Sequence, residues 1–213
     1  MNIKKKKNIF IYLIIILFLI SLVVFIILYK KNPKENIDDV SNSTSNIENE
    51  NIVSSAKNSN PPVEEEISSY STKLTGSSEN RLTNIRLTCN KLNGKILNID
   101  EIFSFETSIG PSTSEDGYKE ATAFCNGKEI KALGGGNCQV SSTLYNAVLA
   151  VNNLKVIERH EHGKKVSYVP DGKDAAVSYG SIDFKFKNTS ENKIKLYFST
   201  DNATLLVRIV KLV

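Results

Sequence analysis

The chain has 213 residues, with 27 Lys and Arg against 23 Asp and Glu, two His and three Cys, for a formal charge of +4. Residues 1–31 hold six of the basic residues and no acidic one, which leaves 21 basic against 23 acidic, a charge of −2, for the rest. That near-neutral remainder excludes nucleic acid as a partner on electrostatic grounds.

Ile9 to Tyr29 run without a charged residue, and a helix of that length, at about 1.5 Å per residue, crosses the ~30 Å hydrocarbon core of a bilayer. The run ends in Leu28-Tyr29-Lys30-Lys31 without a small-residue cleavage site, so a retained anchor is expected over a removed signal peptide. Lys4 to Lys7 and the amino terminus precede the span, and the bias places residues 1–8 in the cytoplasm and everything after the span outside the cell. The membrane is thus an expected partner through Ile9 to Tyr29.

Residues 30–76 are rich in Asn, Ser and Glu with isolated aliphatics and the Asn60-Pro61-Pro62 break, and are read as a disordered linker. The folded unit is expected over 77–213, one domain by length. Leu82, Ile85, Cys89 and Leu92 recur at helical spacing before Asn93-Gly94, which predicts a helix over 80–92 with Cys89 on its packed stripe. Short alternating segments follow around Ile96 to Phe105, then a loop from Gly110 to Gly117. A second helix is expected from Cys138 to about Val151, with Val140, Leu144, Ala147, Val148 and Val151 on one face and Cys138, Ser141, Ser142 and Tyr145 on another. Ile182, Phe184 and Phe186 alternate, as do Ile194, Leu196 and Phe198, with Asn188 to Asn192 between them, and Ala203 to Val210 completes an expected C-terminal antiparallel meander. The predicted class is α+β, a single extracytoplasmic domain with a central helix carrying Cys138.

The three cysteines, Cys89, Cys125 and Cys138, are too few and odd in number for a disulfide framework. Cys138 follows Gly134-Gly135-Gly136-Asn137 and opens the second helix. Glycines allow close backbone approach by a ligand, and the free N–H groups of a helix start favour a thiolate and an oxyanion. The two histidines, His160 and His162, both lie in Arg159-His160-Glu161-His162, a short return from the thiol. One of them is expected to serve as its base, with His160 the ring expected to be buried beside Arg159. Asp174 or Asp183 is the expected orienting carboxylate. Gly135, Gly136, Asn137 and Gln139 at the helix start, Ser142 and Tyr145 on the face of the thiol, and Arg159 are the candidate oxyanion and substrate contacts. The alternative chemistry is a metal held by His160 and His162 with Asp174 or Asp183 as third ligand. No nucleotide or redox-cofactor motif is present, and no cofactor or metal is expected.

The segment from Arg86 to Phe198 resembles the VanW domain. The resemblance rests on Phe103-Ser104-Phe105, Gly110-Pro111 with Gly117-Tyr118, the run from Gly134 to Leu149, Glu158-Arg159-His160 with His162, Tyr168-Val169-Pro170 with Gly172 and Asp174-Ala175, and Asp183 with Phe186 and Asn188. Gly163, Lys164 and Ala176 depart from the family pattern without touching the thiol or the histidines. The resemblance implies a membrane-anchored L,D-transpeptidase acting on peptidoglycan stem peptides to form 3-3 cross-links through a thioester on Cys138. It leaves two alternatives, a cysteine peptidase or L,D-carboxypeptidase of the same stems, and a non-catalytic wall-binding or vancomycin-resistance accessory module.

Overall fold

The computed structural model describes residues 62–213 except 126–127. The expected membrane segment lies outside the described residues, and among those described no helix is long and apolar enough to cross a membrane. The architecture is mixed α and β with antiparallel sheets.

Helix α1 (Glu79–Leu92) starts where the Ser78 side chain accepts a hydrogen bond from the Arg81 amide, and it stops at Asn93, whose amide closes on the Cys89 carbonyl. Ile85, Cys89 and Leu92 form its buried stripe, as the spacing predicts. Burial pushes the Cys89 thiol up to about 12, so this cysteine is packing material. Helix α2 (Phe105–Ile109) is a single short turn. Helix α3 (Asn137–Leu149) carries Cys138 at its second position. It buries Val140, Leu144, Ala147 and Val148, but also Gln139, Ser141, Ser142 and Thr143. The second face, with Cys138, Ser141, Ser142 and Tyr145, is therefore largely interior, and only Cys138 and Tyr145 on it remain partly exposed.

The strands fall into three groups. β1 (Glu64–Lys73), β9 (Thr204–Leu212), β8 (Lys193–Thr200) and β2 (Ile96–Leu97) form one sheet in that order. β3 (Ile102–Ser104), β7 (Lys185–Asn188) and β6 (Leu154–Glu158) form a second. β4 (Glu120–Cys125) and β5 (Lys128–Leu133) pair as a separate two-stranded ribbon, for which the sequence reading has no counterpart. Helix α3 packs on β1 and β9, touches α1, and meets β6, which explains why its polar side chains are buried as well as its apolar ones.

Two expectations are corrected. Residues 64–73, assigned to the linker, are a ten-residue edge strand. They escape hydropathy reading because an edge strand needs little apolar surface and is protected by charge. Glu64, Glu65 and Glu66 pair with Lys195, Lys211 and Arg208 of the neighbouring strands at 2.9, 2.9 and 3.3 Å. Such pairs are screened by solvent and add little. The attachment rests instead on the backbone ladder to β9, on buried Leu74 and Thr72, and on Ser68, which donates to the Ala147 carbonyl of α3 at 2.7 Å.

The expected C-terminal meander is also divided, because β7 pairs with β3 and β6 rather than with β8. Asn188 is the cause. It is fully buried, donates to the carbonyls of Asn98 and Asn192, and accepts from the amide and hydroxyl of Ser190. Its side chain thus satisfies a crossover between sheets where a hairpin turn was expected.

A chain beginning at Ser77 is expected to melt about 10 °C below one beginning at Pro62, corresponding to a loss of about 3 kcal/mol for a domain of this size. Circular dichroism melting curves check this. Coincident curves would show that β1 adds nothing to the domain.

Candidate functional site

Cys138 reaches the surface because the chain before it is packed as tightly as backbone allows. A Cβ on Gly135 would lie 2.7 Å from the Ala121 carbonyl oxygen and 2.8 Å from that of Thr122, both on β4. Gly136, at φ 123°, would bring one to 2.8 Å from Ile85 of α1. These glycines are therefore required by close packing against β4 and α1, and they do not serve chiefly to admit a ligand. Asn84, fully buried, fixes the same crossing by donating to the carbonyls of Lys119 and Gly135 at 2.9 and 3.0 Å and accepting from the Lys119 amide at 2.8 Å.

The flanking candidates are engaged with neighbouring elements. Asn137 accepts from Thr88 at 2.7 Å and donates to Ser112 at 2.9 Å. Gln139, buried, donates to Thr72 and to the Lys73 carbonyl of β1 and accepts from Arg81 at 2.9 Å. Tyr145 stacks edge-on against Phe184, with the Arg159 guanidinium 5.3 Å from its ring centre. Ser142, also buried, donates to the Cys138 carbonyl at 2.6 Å and accepts from the Ala175 amide at 2.9 Å. Gln139, Ser142 and Tyr145 thus support the helix and its neighbours instead of lining the cavity where substrate would sit.

The Ser142 contact fixes the segment Asp174–Ser178 alongside the start of α3. Ser141 adds a bond to the Ala175 carbonyl at 2.6 Å, and the Cys138 thiol donates to the Val177 carbonyl at 3.5 Å. Asp174 is brought with this segment. Its Oδ2 accepts from His162 Nδ1 at 2.6 Å and from the His162 amide at 2.8 Å. Arg159 donates through Nη2 to Asp174 Oδ1 and through Nε to the Asp174 carbonyl, so it supports the carboxylate. With Nδ1 committed to Asp174, Nε2 is the nitrogen left for the Cys138 sulfur. Burial alone would lower the His162 imidazole, but hydrogen bonding to and charge on Cys138, followed by Asp174, hold it above the ordinary histidine value. Asp174 shows the complementary balance: burial raises it, but the bonds from His162 outweigh burial and leave it below the ordinary carboxylate value.

The expectation that His160 is the buried ring is corrected. His160 lies on the exposed side of the chain, where its Nε2 meets Glu158 at 2.9 Å. Glu158 is drawn down to about 2 by Lys185 first and His160 second. Asp183 is corrected as an orienter. It accepts from the Glu106 amide at 2.8 Å and from Ser104 at 2.6 Å, capping α2, while the carboxylate on His162 is that of Asp174. Among the described residues no three His, Cys, Asp or Glu side chains stand close enough to hold a metal together.

Cys138 and His162 open onto a cavity of about 890 Å³, within the range of small-ligand sites. The amides of Asn137 and Gln139 are bonded to the Gly134 and Gly136 carbonyls. Among the described residues the fold supplies no acceptor for the amide of Cys138 between them, so it can receive an oxyanion. Tyr168, which carried no role in the sequence reading, places its hydroxyl 3.4 Å from His162 Nε2. Burial, then the nearby Cys138 charge, push its phenol above the ordinary value, so it stays a protonated donor. An aromatic hydroxyl six residues past the histidine was the available signal.

A family described as VanW like protein matches residues 80–210. The chain belongs to the VanW family. It is 39% identical over 124 residues to the uncharacterized protein YoaR of Bacillus subtilis, covering 58% of this chain and 41% of that one. It is 30% identical over 133 residues to the vancomycin B-type resistance protein VanW of Enterococcus faecalis, covering 60% of this chain and 48% of that one. The chain therefore matches less than half the length of either curated relative. No solved structure matches it. The VanW match takes in Cys138, His162 and Asp174 together with α3, β4 and β6, but not β1.

The folded state holds the His162 proton more tightly than the unfolded chain, so this group contributes stability that is full below the unfolded value of about 6.5 and is lost as pH rises through the folded value. Asp174, held low, contributes stability above about pH 4 that is lost as pH falls through its folded value. The His162 ring is expected to titrate by NMR with a midpoint above 6.5, and Cys138→Ala should lower that midpoint by removing the partner that raises it. An unchanged midpoint in the variant would mean that the sulfur and the ring do not interact.

Proposed function

We propose that the domain is a cysteine acyltransferase of peptidoglycan stem peptides, an L,D-transpeptidase held at the outer face of the cell membrane by Ile9 to Tyr29. The observation that supports the reading best is that Cys138 and His162 line one cavity while Asp174 holds the far side of the imidazole, with Nδ1 to carboxylate at 2.6 Å. This is the nucleophile, base and orienter arrangement that acyl transfer requires. A relative named for vancomycin resistance supports a cell-wall setting.

In the first half-reaction the Cys138 thiolate attacks the carbonyl carbon of the third stem residue. The oxyanion is received by the Cys138 amide, the bond to the terminal D-alanine breaks, and His162 Nε2 gives its proton to the leaving amine. A thioester remains. In the second, the side-chain amine of another stem attacks the thioester carbonyl while neutral His162 accepts its proton. The carbon–sulfur bond then breaks and the thiolate is regenerated. Asp174 stabilises the imidazolium in both halves, and Tyr168 steadies the Nε2 edge of the ring. Water in place of the amine would give an L,D-carboxypeptidase with the same residues.

Incubation with purified tetrapeptide muropeptides is expected to yield dimers; shortened monomers alone would mean hydrolysis. Cys138→Ala and Cys138→Ser should abolish product, whereas a purely binding module would be indifferent to both. His162→Ala should lower the rate by about 10²-fold or more. His160→Ala, a surface change, should stay within about threefold. A chelator should leave the rate unchanged, and inhibition reversed by zinc would overturn the cysteine mechanism.

A further inference from the structure

The acyl-transfer reading leaves one charge in the cavity without an assignment. Among its described lining residues the sole Lys or Arg is Arg81, from the first turn of α1. Its stem passes the start of α3, since a Cβ on Gly136 would lie 3.4 Å from Arg81 Cγ. Its Nη2 is held at 2.9 Å by Gln139, the residue after the nucleophile, and its Nη1 reaches the Thr122 carbonyl at 3.3 Å. Both acceptors are neutral, and among the described residues no carboxylate forms an ion pair with Arg81. Glu106 and Glu161, which also line the cavity, are engaged elsewhere, by the Gly180 amide and by Arg159.

A guanidinium has five N–H donors in a rigid fork, and two are used here, leaving about three. Two neutral hydrogen bonds do not require a fixed positive charge. Taking such a charge partly out of water without a counter-ion is costly, and burial lowers this guanidinium. An arginine kept unpaired on a cavity wall is suited to a planar anion that arrives with the ligand.

Resting on the acyl-transfer reading, we propose that Arg81 is the specificity residue that holds a free terminal carboxylate on the acyl donor, so that the cavity selects peptides cut one residue from their C-terminus. The carboxylate belongs to the departing residue. Docked on Arg81, it would fix the preceding carbonyl relative to Cys138 on the neighbouring helix start.

The test uses the full chain carrying Cys138→Ala, which cannot turn over, titrated by ligand-observed NMR with diacetyl-L-lysyl-D-alanine and with its C-terminal carboxamide. The free acid is expected to bind at least tenfold more tightly. Adding Arg81→Gln should remove that difference by weakening the acid alone, and Arg81→Lys, which keeps the charge but not the fork, should retain part of it. Equal affinity for the two probes, failure of both to bind, or an undiminished preference in Arg81→Gln would overturn the proposal. Should Arg81→Gln fail to fold on melting, Arg81→Lys decides, and an unchanged preference there overturns it. With Cys138 intact, preference for the acid without D-alanine release would sink acyl transfer and leave the carboxylate site standing. Equal turnover of acid and carboxamide would do the reverse.

Discussion

The Ser142 hydroxyl is the joint on which the site depends. It donates to the carbonyl of Cys138 and accepts from the amide of Ala175, so one oxygen ties the backbone of the nucleophile to the residue next to the orienting carboxylate. Ser141 repeats the attachment on the Ala175 carbonyl. Buried bonds of this kind cost about 1–3 kcal/mol when one partner is removed. Their loss would also release Asp174, and with it His162, from the sulfur. Position at the site is thus set by neutral, buried hydrogen bonds, and the charged groups are carried into register by them.

The surroundings of α3 serve the same end. Gly135 and Gly136 let β4 and α1 close on the helix start, Asn84 fastens the crossing, and Gln139 joins it to β1. A helix enclosed by two sheets and another helix has no free face on which to rotate. Its first turn is open only toward the cavity. That enclosure gives Cys138 a defined direction, and it accounts for the number of polar residues buried without any unsatisfied side-chain atom among the described residues.

Electrostatically the cavity is divided. His162 and Asp174 hold a proton between elements that are otherwise desolvated, with Arg159 compensating the carboxylate from outside. Arg81 lines the same cavity and, among the described residues, has no carboxylate partner. Membership of the VanW family is compatible with this division but does not explain it, since the match extends over less than half of either curated relative.

Local periodicity determined what was legible in the amino-acid sequence alone. The stripe of Ile85, Cys89 and Leu92, the helix beginning at Cys138, the alternation in β8 and the thiol at a helix start are each written in one short contiguous stretch of chain. Two histidines two residues apart narrowed the base to a pair. Only the tertiary structure decided that His162 and not His160 lines the cavity with Cys138, that Asp174 and not Asp183 bonds to the His162 ring, that Gln139 and Tyr145 pack away from that cavity, that residues 64–73 are a strand, and that Arg81 and Tyr168 face the cavity. Each of those depends on contacts between segments distant in the chain or on which side of an irregular segment a residue falls. Neither leaves a period in the sequence, because hydrogen bonds such as that between Ser142 and Ala175 are satisfied by shape in space and not by spacing along the backbone.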